Sequence, residues 1–161
     1  MLFRSATLPR LLERCAPRAG GGAITGFYTV LVEGDDLSDP VADSAKSLLD
    51  AHIVLSRDLA GRGHFPAVDV LQSASRVARR VASATVTALA SKTREQLARR
   101  RQAAELQALG AYTAGANPVL DTALAIGERV DTWARQPPHE PSAYETTVRG
   151  LAAAVGEELI S

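Results

Sequence analysis

Residues 52–77 read HIVLSRDLAGRGHFPAVDVLQSASRV, and the character of the sequence changes where this stretch ends. Residues 52–56 are a short apolar run of the kind found in buried strands, and the glycines of RDLAGRG predict a helical turn that ends at one of them. The chain is expected to be extended from Phe65 onwards, because Pro66 disfavours a helical backbone at the residue before it. The stretch therefore predicts strands of an α/β sheet.

The sequence before this stretch has the same α/β character. Residues 23–33, AITGFYTVLVE, form an almost unbroken apolar run rich in β-branched and aromatic residues, which predicts a buried strand. The turn GDDLSDP follows, with Asp39 positioned to cap a helix and Pro40 suited to its first residue. A helix is therefore expected over residues 40–49.

The sequence after residue 79 is rich in alanine and arginine and has helical periodicity. Residues 83–110 predict one or two helices. The helix ends are marked by residues that favour such positions: Gly110 as a stop, Asn117 and Pro118 as a cap and first residue, and Ser142 with Glu145 as a capping box. The predicted fold class is therefore α/β followed by all-α.

The composition is that of a globular protein. The 161 residues are 46% hydrophobic and 22% charged with a formal net charge of zero, which excludes a disordered tail. No apolar run is long enough for a membrane-spanning helix. Cys15 is the only cysteine, so no internal disulfide can form, and a reducing cytoplasm is the expected compartment.

A basic segment follows the predicted strands. Eight lysine or arginine residues lie between Arg76 and Arg101, against one acid, Glu95. Such a segment could bind nucleic acid. We favour a solvated helix face with no nucleic-acid partner, because no aromatic residue lies among the charges to stack on bases.

Taken alone, the residues contain no complete catalytic site. A phosphate-binding loop requires Gly-Lys followed by Ser or Thr, whereas Lys46 and Lys92 follow Ala45 and Ser91. The three histidines and the cysteine lack the spacing of a zinc site, and no G-x-S-x-G nucleophile motif is present. Any enzymatic function must therefore be inferred from a longer pattern.

Such a pattern is carried by three ordered stretches: ITGFYTVLVEGDDLSDPVAD at residues 24–43, the stretch at 52–77, and LQALGAY at residues 106–112. Together they resemble the catalytic ATPase of type III protein export, in its flagellar and injectisome branches alike. That family is related to the catalytic subunits of rotary ATP synthases.

The resemblance implies a domain organisation. Residues 8–80 would be the carboxyl-terminal part of a RecA-like nucleotide-binding domain, and residues 81–161 a helical carboxyl-terminal domain. Residues 1–7 are expected to be a non-native start, because they contain Leu-Phe-Arg-Ser, which a widely used sequencing-library adapter encodes when its DNA is translated. The family's Walker A loop, catalytic glutamate and Walker B aspartate would lie upstream, so the chain is expected to be a fragment that is inactive alone.

The resemblance also implies roles for particular residues. Arg76 matches an arginine finger that reaches the terminal phosphates of ATP bound to the neighbouring subunit. The alternative role for Arg76 is a structural ion pair. Phe65 matches the aromatic residue that stacks on the adenine of its own subunit; its alternative is a core aromatic. Asp35, Asp36, Leu37 and Asp39 match a loop that faces the central pore and touches the stalk. The alternative is that they form only a turn that caps a helix.

The function implied is that of a homohexamer that hydrolyses ATP with Mg²⁺ to energise type III protein export. The Mg²⁺ ligands are expected outside this chain. The implied partners are a central stalk protein, a stator-type regulator, export chaperones and the export gate. The implied location is cytoplasmic, peripheral at the inner face of the membrane.

The sequence leaves two alternatives open. The chain could be a non-enzymatic, truncated interaction module that binds a stalk or chaperone through its helices. It could also be a related rotary ATPase subunit, although residues 28–34 favour the export branch.

Overall fold

The computed structural model describes residues 9–15, 19–32, 34 and 39–159. The chain divides into two compact units, Met1–His52 and Ile53–Ser161. Residues 9–12 are helical and lead into a 3-10 helix, Glu13–Cys15. The helices and strands that follow among the described residues are α1 (Pro40–Leu48), β1 (Ala51–Leu55), α2 (Arg57–Gly61), β2 (Val68–Ser75), α3 (Ala78–Val81), α4 (Ala84–Ala108), α5 (Pro118–Ala134) and α6 (Tyr144–Val155). The predicted order of α/β followed by helices is confirmed.

The apolar segment in the first unit differs from its prediction. Residues 22–32 have no regular secondary structure, so the strand expected at 23–33 is wrong for the described residues. Three of their large apolar side chains, Ile24, Phe27 and Leu31, face solvent, with Phe27 89% and Leu31 93% exposed, whereas Val30 and Val32 are half-buried. A strand exists only when a neighbour completes its backbone hydrogen bonds, and no described segment pairs with this one.

Helix α1 begins as the sequence predicts. Asp39 Oδ1 accepts hydrogen bonds from the backbone N–H groups of Val41, at 2.8 Å, and Ala42, at 3.3 Å. Pro40 occupies the first turn, where its missing N–H costs nothing. Asp39 thus satisfies donors that a helix start would otherwise leave without partners.

Strands β1 and β2 form a two-stranded sheet, and the short helix α2 lies between them in the chain. Ser56 caps α2 by accepting a hydrogen bond from the N–H of Leu59. The Ser56 N–H in turn donates to Ala67 O at 2.8 Å. The two strands of the quoted stretch are therefore as expected.

The helices after residue 83 form a bundle in which α4 packs on α5 and α5 packs on α6. Their ends largely follow the sequence: α4 is a single helix of 25 residues, and Gly110 follows it with φ +66°, a conformation that favours glycine. The side chain of Asn117 caps α5 as predicted.

The predicted capping box of the last helix is wrong. The cap residue of α6 is Ala143, and no side chain caps the helix. The hydroxyl of Ser142 instead forms a hydrogen bond of 2.6 Å with the hydroxyl of Thr147. Since Thr147 also donates to Ala143 O, its hydroxyl draws Ser142 away from the helix N–H groups.

The hydrophobic core lies between the three long helices. Its centre consists of buried apolar side chains from each of them: Leu89, Ile126, Val130, Ala152, Ala154 and Val155. Trp133 and Leu151 are among the half-buried residues that pack around this centre. The bundle therefore holds the apolar burial on which the second unit depends.

A close approach between α4 and α5 depends on a glycine. Arg100 donates to Gly127 O at 3.1 Å and pairs with Asp131 at 2.7 Å. A Cβ atom at Gly127 would collide with the aliphatic part of the Arg100 side chain. The glycine thus leaves the space in which this arginine joins the two helices.

Candidate functional site

The two predicted nucleotide-facing residues lie at opposite ends of β2. Phe65 precedes the strand, and Arg76 lies in the bend that follows it. A strand advances about 3.3 Å per residue, so eight residues can separate its ends by up to about 23 Å. The strand therefore places the two side chains at different points of the surface.

Phe65 has the exposure of a binding residue. Its side chain is 54% exposed, so the ring does not lie in the hydrophobic core. Its backbone is fixed from the helical bundle, because the N–H of Gln136, just beyond α5, donates to Phe65 O at 2.9 Å. An accessible aromatic face on a fixed backbone is suited to stack on a planar ring.

Arg76 is exposed and is the first residue after β2, two residues before the start of the four-residue helix α3. A guanidinium is permanently charged and presents several N–H donors in one plane, which suits two phosphate oxygens at once. Position and chemistry are therefore those that an anion-binding arginine needs.

The predicted pore loop is only partly described. Asp35, Asp36 and Leu37 lie outside the described residues. Asp39 is described, and its carboxylate caps α1. The capping interpretation is therefore established for Asp39, the one described member of the four.

Asp69 is a buried acid in β2 that the sequence analysis did not identify. Its Oδ1 accepts from the N–H groups of Leu71, at 2.9 Å, and Gln72, at 3.1 Å, while Oδ2 accepts from the Gln72 amide and from Arg101. Burial alone would raise the pKa of Asp69, but the Gln72 hydrogen bonds and the Arg101 charge outweigh it and lower the pKa. The carboxylate is therefore held ionised within the strand.

Arg94 is the second residue that the sequence analysis missed. It lies on α4, and its guanidinium donates to two backbone carbonyls of β2, those of Val70 and Ser73. The Ser73 hydroxyl donates to Asp69 O at 2.7 Å and accepts from the Val54 N–H of β1 at 2.9 Å. Side chains thus satisfy much of the β2 backbone just before Arg76.

The basic segment proves to be mostly paired within the chain. Five of its eight cationic residues have described partners: Lys92 with Glu157, Arg94 with β2, Arg99 with Glu95, Arg100 with Asp131 and Arg101 with Asp69. The predicted solvated face therefore does not describe these five residues fully, because each has a partner within the chain. Much of this charge joins α4 to other elements.

Comparison with known proteins follows this division between strand segment and bundle. The family model described as "ATP synthase alpha/beta family, nucleotide-binding domain" matches residues 4–75. The model described as "T3SS EscN ATPase C-terminal domain" matches residues 82–153. The chain belongs to the type III secretion and flagellar export ATPases.

Relatives within the export ATPases include both branches. The chain is 46% identical over 144 residues to the type 3 secretion system ATPase of Pseudomonas syringae pv. tomato, covering 89% of this chain and 32% of that protein. It is 43% identical over 150 residues to the flagellum-specific ATP synthase of Treponema pallidum, covering 93% and 33%. The chain thus spans about a third of the length of these curated relatives.

Solved structures of export ATPases agree with the fold. The assembled ATPase EscN from enteropathogenic E. coli superposes with a TM-score of 0.85 at 38% identity, covering 94% of this chain and 36% of EscN. EscN in complex with its central stalk EscO gives 0.79 at 36% identity, covering 93% and 35%. A similar fold, at 21% identity, occurs in the ATP synthase subunit NeqB of Nanoarchaeum equitans, covering 94% and 38%.

The described residues fit the nucleotide of an export ATPase in part. An accessible aromatic ring and an arginine suit adenine and phosphate. The described ranges contain no group of three or more His, Cys, Asp or Glu side chains that could hold a metal ion. None of the helices in those ranges combines the length and apolar character needed to cross a bilayer.

Proposed function

We propose that this chain forms part of a homohexameric ATPase that energises type III protein export, in a flagellar or an injectisome system. The observation that carries the proposal is the placement of Phe65 and Arg76 at the two ends of β2, within a chain of this family. One strand can then contribute to two nucleotide sites, one in its own subunit and one in the neighbour.

In this proposal each residue has a separate task. The ring of Phe65 stacks on the adenine of ATP bound to its own subunit. The guanidinium of Arg76 crosses the subunit boundary and binds the terminal phosphate oxygens of ATP held by the neighbour. Phosphoryl transfer is catalysed mainly by positioning and by stabilising charge, so one well-placed arginine accounts for a large part of the rate.

The loop that includes Asp35, Asp36 and Leu37 is proposed to face the pore and touch a central stalk protein. The complex of EscN with its central stalk EscO supports this assignment by analogy. Further proposed partners are a stator-type regulator, export chaperones and the export gate. The proposed location is cytoplasmic, with peripheral association at the inner face of the membrane, and Mg²⁺ would be bound by residues outside this chain.

The decisive experiment uses a hybrid in which this chain replaces the matching part of EscN. Arg76→Ala in the hybrid should lower kcat by about 10³–10⁵-fold while ATP still binds, because the finger stabilises the transition state. Arg76→Lys should recover little, because an ammonium cannot reproduce the planar fork. The measurements are steady-state hydrolysis and equilibrium binding of ATP.

A mixing test separates a finger in trans from a structural residue. Hybrids with Arg76→Ala are mixed with hybrids that lack the phosphate-loop lysine, each inactive alone. Some interfaces of a mixed hexamer then combine an intact loop with an intact arginine, so activity should partly return. No recovery in hexamers shown to be mixed would exclude the finger in trans and leave Arg76 a structural residue.

Phe65 gives a second test of the same geometry. Phe65→Tyr should preserve ATP affinity, because either ring presents a flat face. Phe65→Ala should weaken ATP binding by about 1–3 kcal/mol, the magnitude of base–aromatic stacking. Unchanged ATP affinity together with a lower melting temperature would assign the ring a structural role.

A further inference from the structure

We propose that Arg94 is a positioning residue for Arg76, an inference that rests on the finger role proposed above. Arg94 belongs to the helical bundle, whereas Arg76 follows the strand. Through Arg94, the bundle would fix the direction in which the chain leaves β2 and hence where the Arg76 guanidinium arrives.

The backbone of β2 around residues 69–73 is held by side chains. Asp69 Oδ1 occupies the N–H groups of Leu71 and Gln72, which leaves them unable to bond another strand. On the acceptor side, Arg94 occupies the carbonyls of Val70 and Ser73. The geometry of the strand end is therefore determined by the Asp69 and Arg94 side chains as well as by the sheet.

Arg94 lies on a turn of α4 that packs against the core, so its backbone is held in place. Its neighbour Thr93 is buried and donates to Leu89 O, which places this turn of α4 against the core. Seven residues further along, on the same face of the helix, Arg101 pairs with Asp69 at 3.2 Å. Two arginines on one helix face thus hold one strand.

The attachment extends into the rest of the bundle. Arg100 joins α4 to α5 through Gly127 O and Asp131. A displacement of α5 is therefore communicated to α4, and Arg94 communicates a displacement of α4 to Ser73, three residues before Arg76. A misplacement of about 1 Å in a catalytic group can cost about 10²-fold in rate, so this attachment is a sufficient means of control.

A merely structural arginine would stabilise the chain without acting through Arg76. The two roles differ in their kinetics. Loss of positioning lowers kcat and leaves the KM for ATP nearly unchanged, because Phe65 and the site in the same subunit are intact. In a variant that lacks Arg76, loss of positioning lowers kcat no further. A structural defect would lower kcat again in that variant.

The first measurement is hydrogen exchange in the 161-residue chain itself. In Arg94→Ala, amides of residues 70–77 should exchange at least about 10-fold faster, because the carbonyls of β2 have lost their donor. Arg99→Ala is the matched control: Arg99 lies on the same helix, and the ion pair it forms among the described residues is with Glu95, one turn earlier. Equal exchange of residues 70–77 in the two variants would overturn the proposal.

The second measurement is a double-mutant cycle in the EscN hybrid. Arg94→Ala should lower kcat by about 10²-fold with the KM for ATP within about twofold, and Arg94→Lys, which keeps a donor, should recover part of kcat. In the Arg76→Ala background, whose slow turnover is followed over hours, Arg94→Ala should cause no further loss. Because Arg94→Lys retains charge and length, it provides the same comparison if Arg94→Ala does not fold.

The outcomes separate the two proposals. Suppose that Arg76→Ala abolishes hydrolysis. If Arg94→Ala then leaves kcat unchanged, or lowers it by the same factor with and without Arg76, the finger role stands and the positioning role is wrong. If Arg76→Ala itself leaves kcat intact, the proposed finger fails and the positioning role fails with it. Loss of kcat confined to the background that contains Arg76 supports both.

Discussion

Residues 22–32 and the helices from α4 to α6 are both rich in apolar side chains, yet only the helices bury them. The helices carry their apolar residues at helical spacing and complete their own backbone hydrogen bonds. The segment at 22–32 has the composition of a strand, but a strand requires a neighbour. The difference shows which parts of this sequence can form structure from local interactions.

The same distinction applies within the second unit. Strand β2 is ordered partly because Asp69 and Arg94 supply hydrogen-bond partners that a further strand would otherwise provide. Residues 22–32 have no comparable set of side-chain partners among their described contacts. In the second unit, helical packing, the pairing of β1 with β2 and side-chain hydrogen bonds therefore hold the described elements together.

The strongest test of this comparison removes equivalent apolar groups from both regions. Ile126→Ala in the core should lower the free energy of unfolding by about 2–5 kcal/mol, because it leaves a cavity among packed side chains. Leu31→Ala, at a side chain 93% exposed, should change it by no more than about 0.5 kcal/mol. Urea unfolding followed by circular dichroism measures both. A large loss from Leu31→Ala would mean that residues 22–32 are packed.

A smaller effect is expected from adding one methyl group to the bundle. Gly127→Ala should lower the free energy of unfolding by about 1–2 kcal/mol, because the displaced Arg100 loses its contacts and the gain in helix propensity offsets only about 1 kcal/mol. Gly61→Ala in α2 meets open space and should be neutral or stabilising. The same sign for both variants in thermal unfolding would contradict the close approach between α4 and α5.

The smallest effect compares two helix starts. Asn117→Ala should lower the free energy of unfolding by about 1 kcal/mol, because the N–H groups of Val119 and Leu120 lose their acceptor. Ser142→Ala should be close to neutral, because its hydroxyl caps no N–H group of α6. Equal losses in urea unfolding would show that Ser142 is a cap after all.

The sequence predicts features that depend on local chemistry. Asp39 and Pro40, Asn117 and Pro118, and the stop at Gly110 were all placed correctly, because each acts within a few residues of its own backbone. Ser142 was not, because its hydroxyl had two local partners available and the sequence does not rank them. The segment 23–33 was wrong as a strand because pairing is a non-local property.

The candidate site divides along the same line. Phe65 and Arg76 could be proposed because they stand in a long ordered pattern. Asp69 and Arg94 could not, since their hydrogen bonds join residues 21 or more positions apart or depend on a turn inside the strand. The only signal in the sequence was the excess of cationic residues in α4, which was interpreted as a solvated face.

The side chains that hold β2 have a consequence for self-association. A sheet of two strands usually offers free backbone groups to which the strand of another molecule can add, as happens in fibrils. In residues 70–73 two N–H groups are already bonded by Asp69 and two carbonyls by Arg94. This part of the sheet therefore resists templated β-aggregation, a protection shared between the Asp69 carboxylate of the strand and the Arg94 guanidinium of α4.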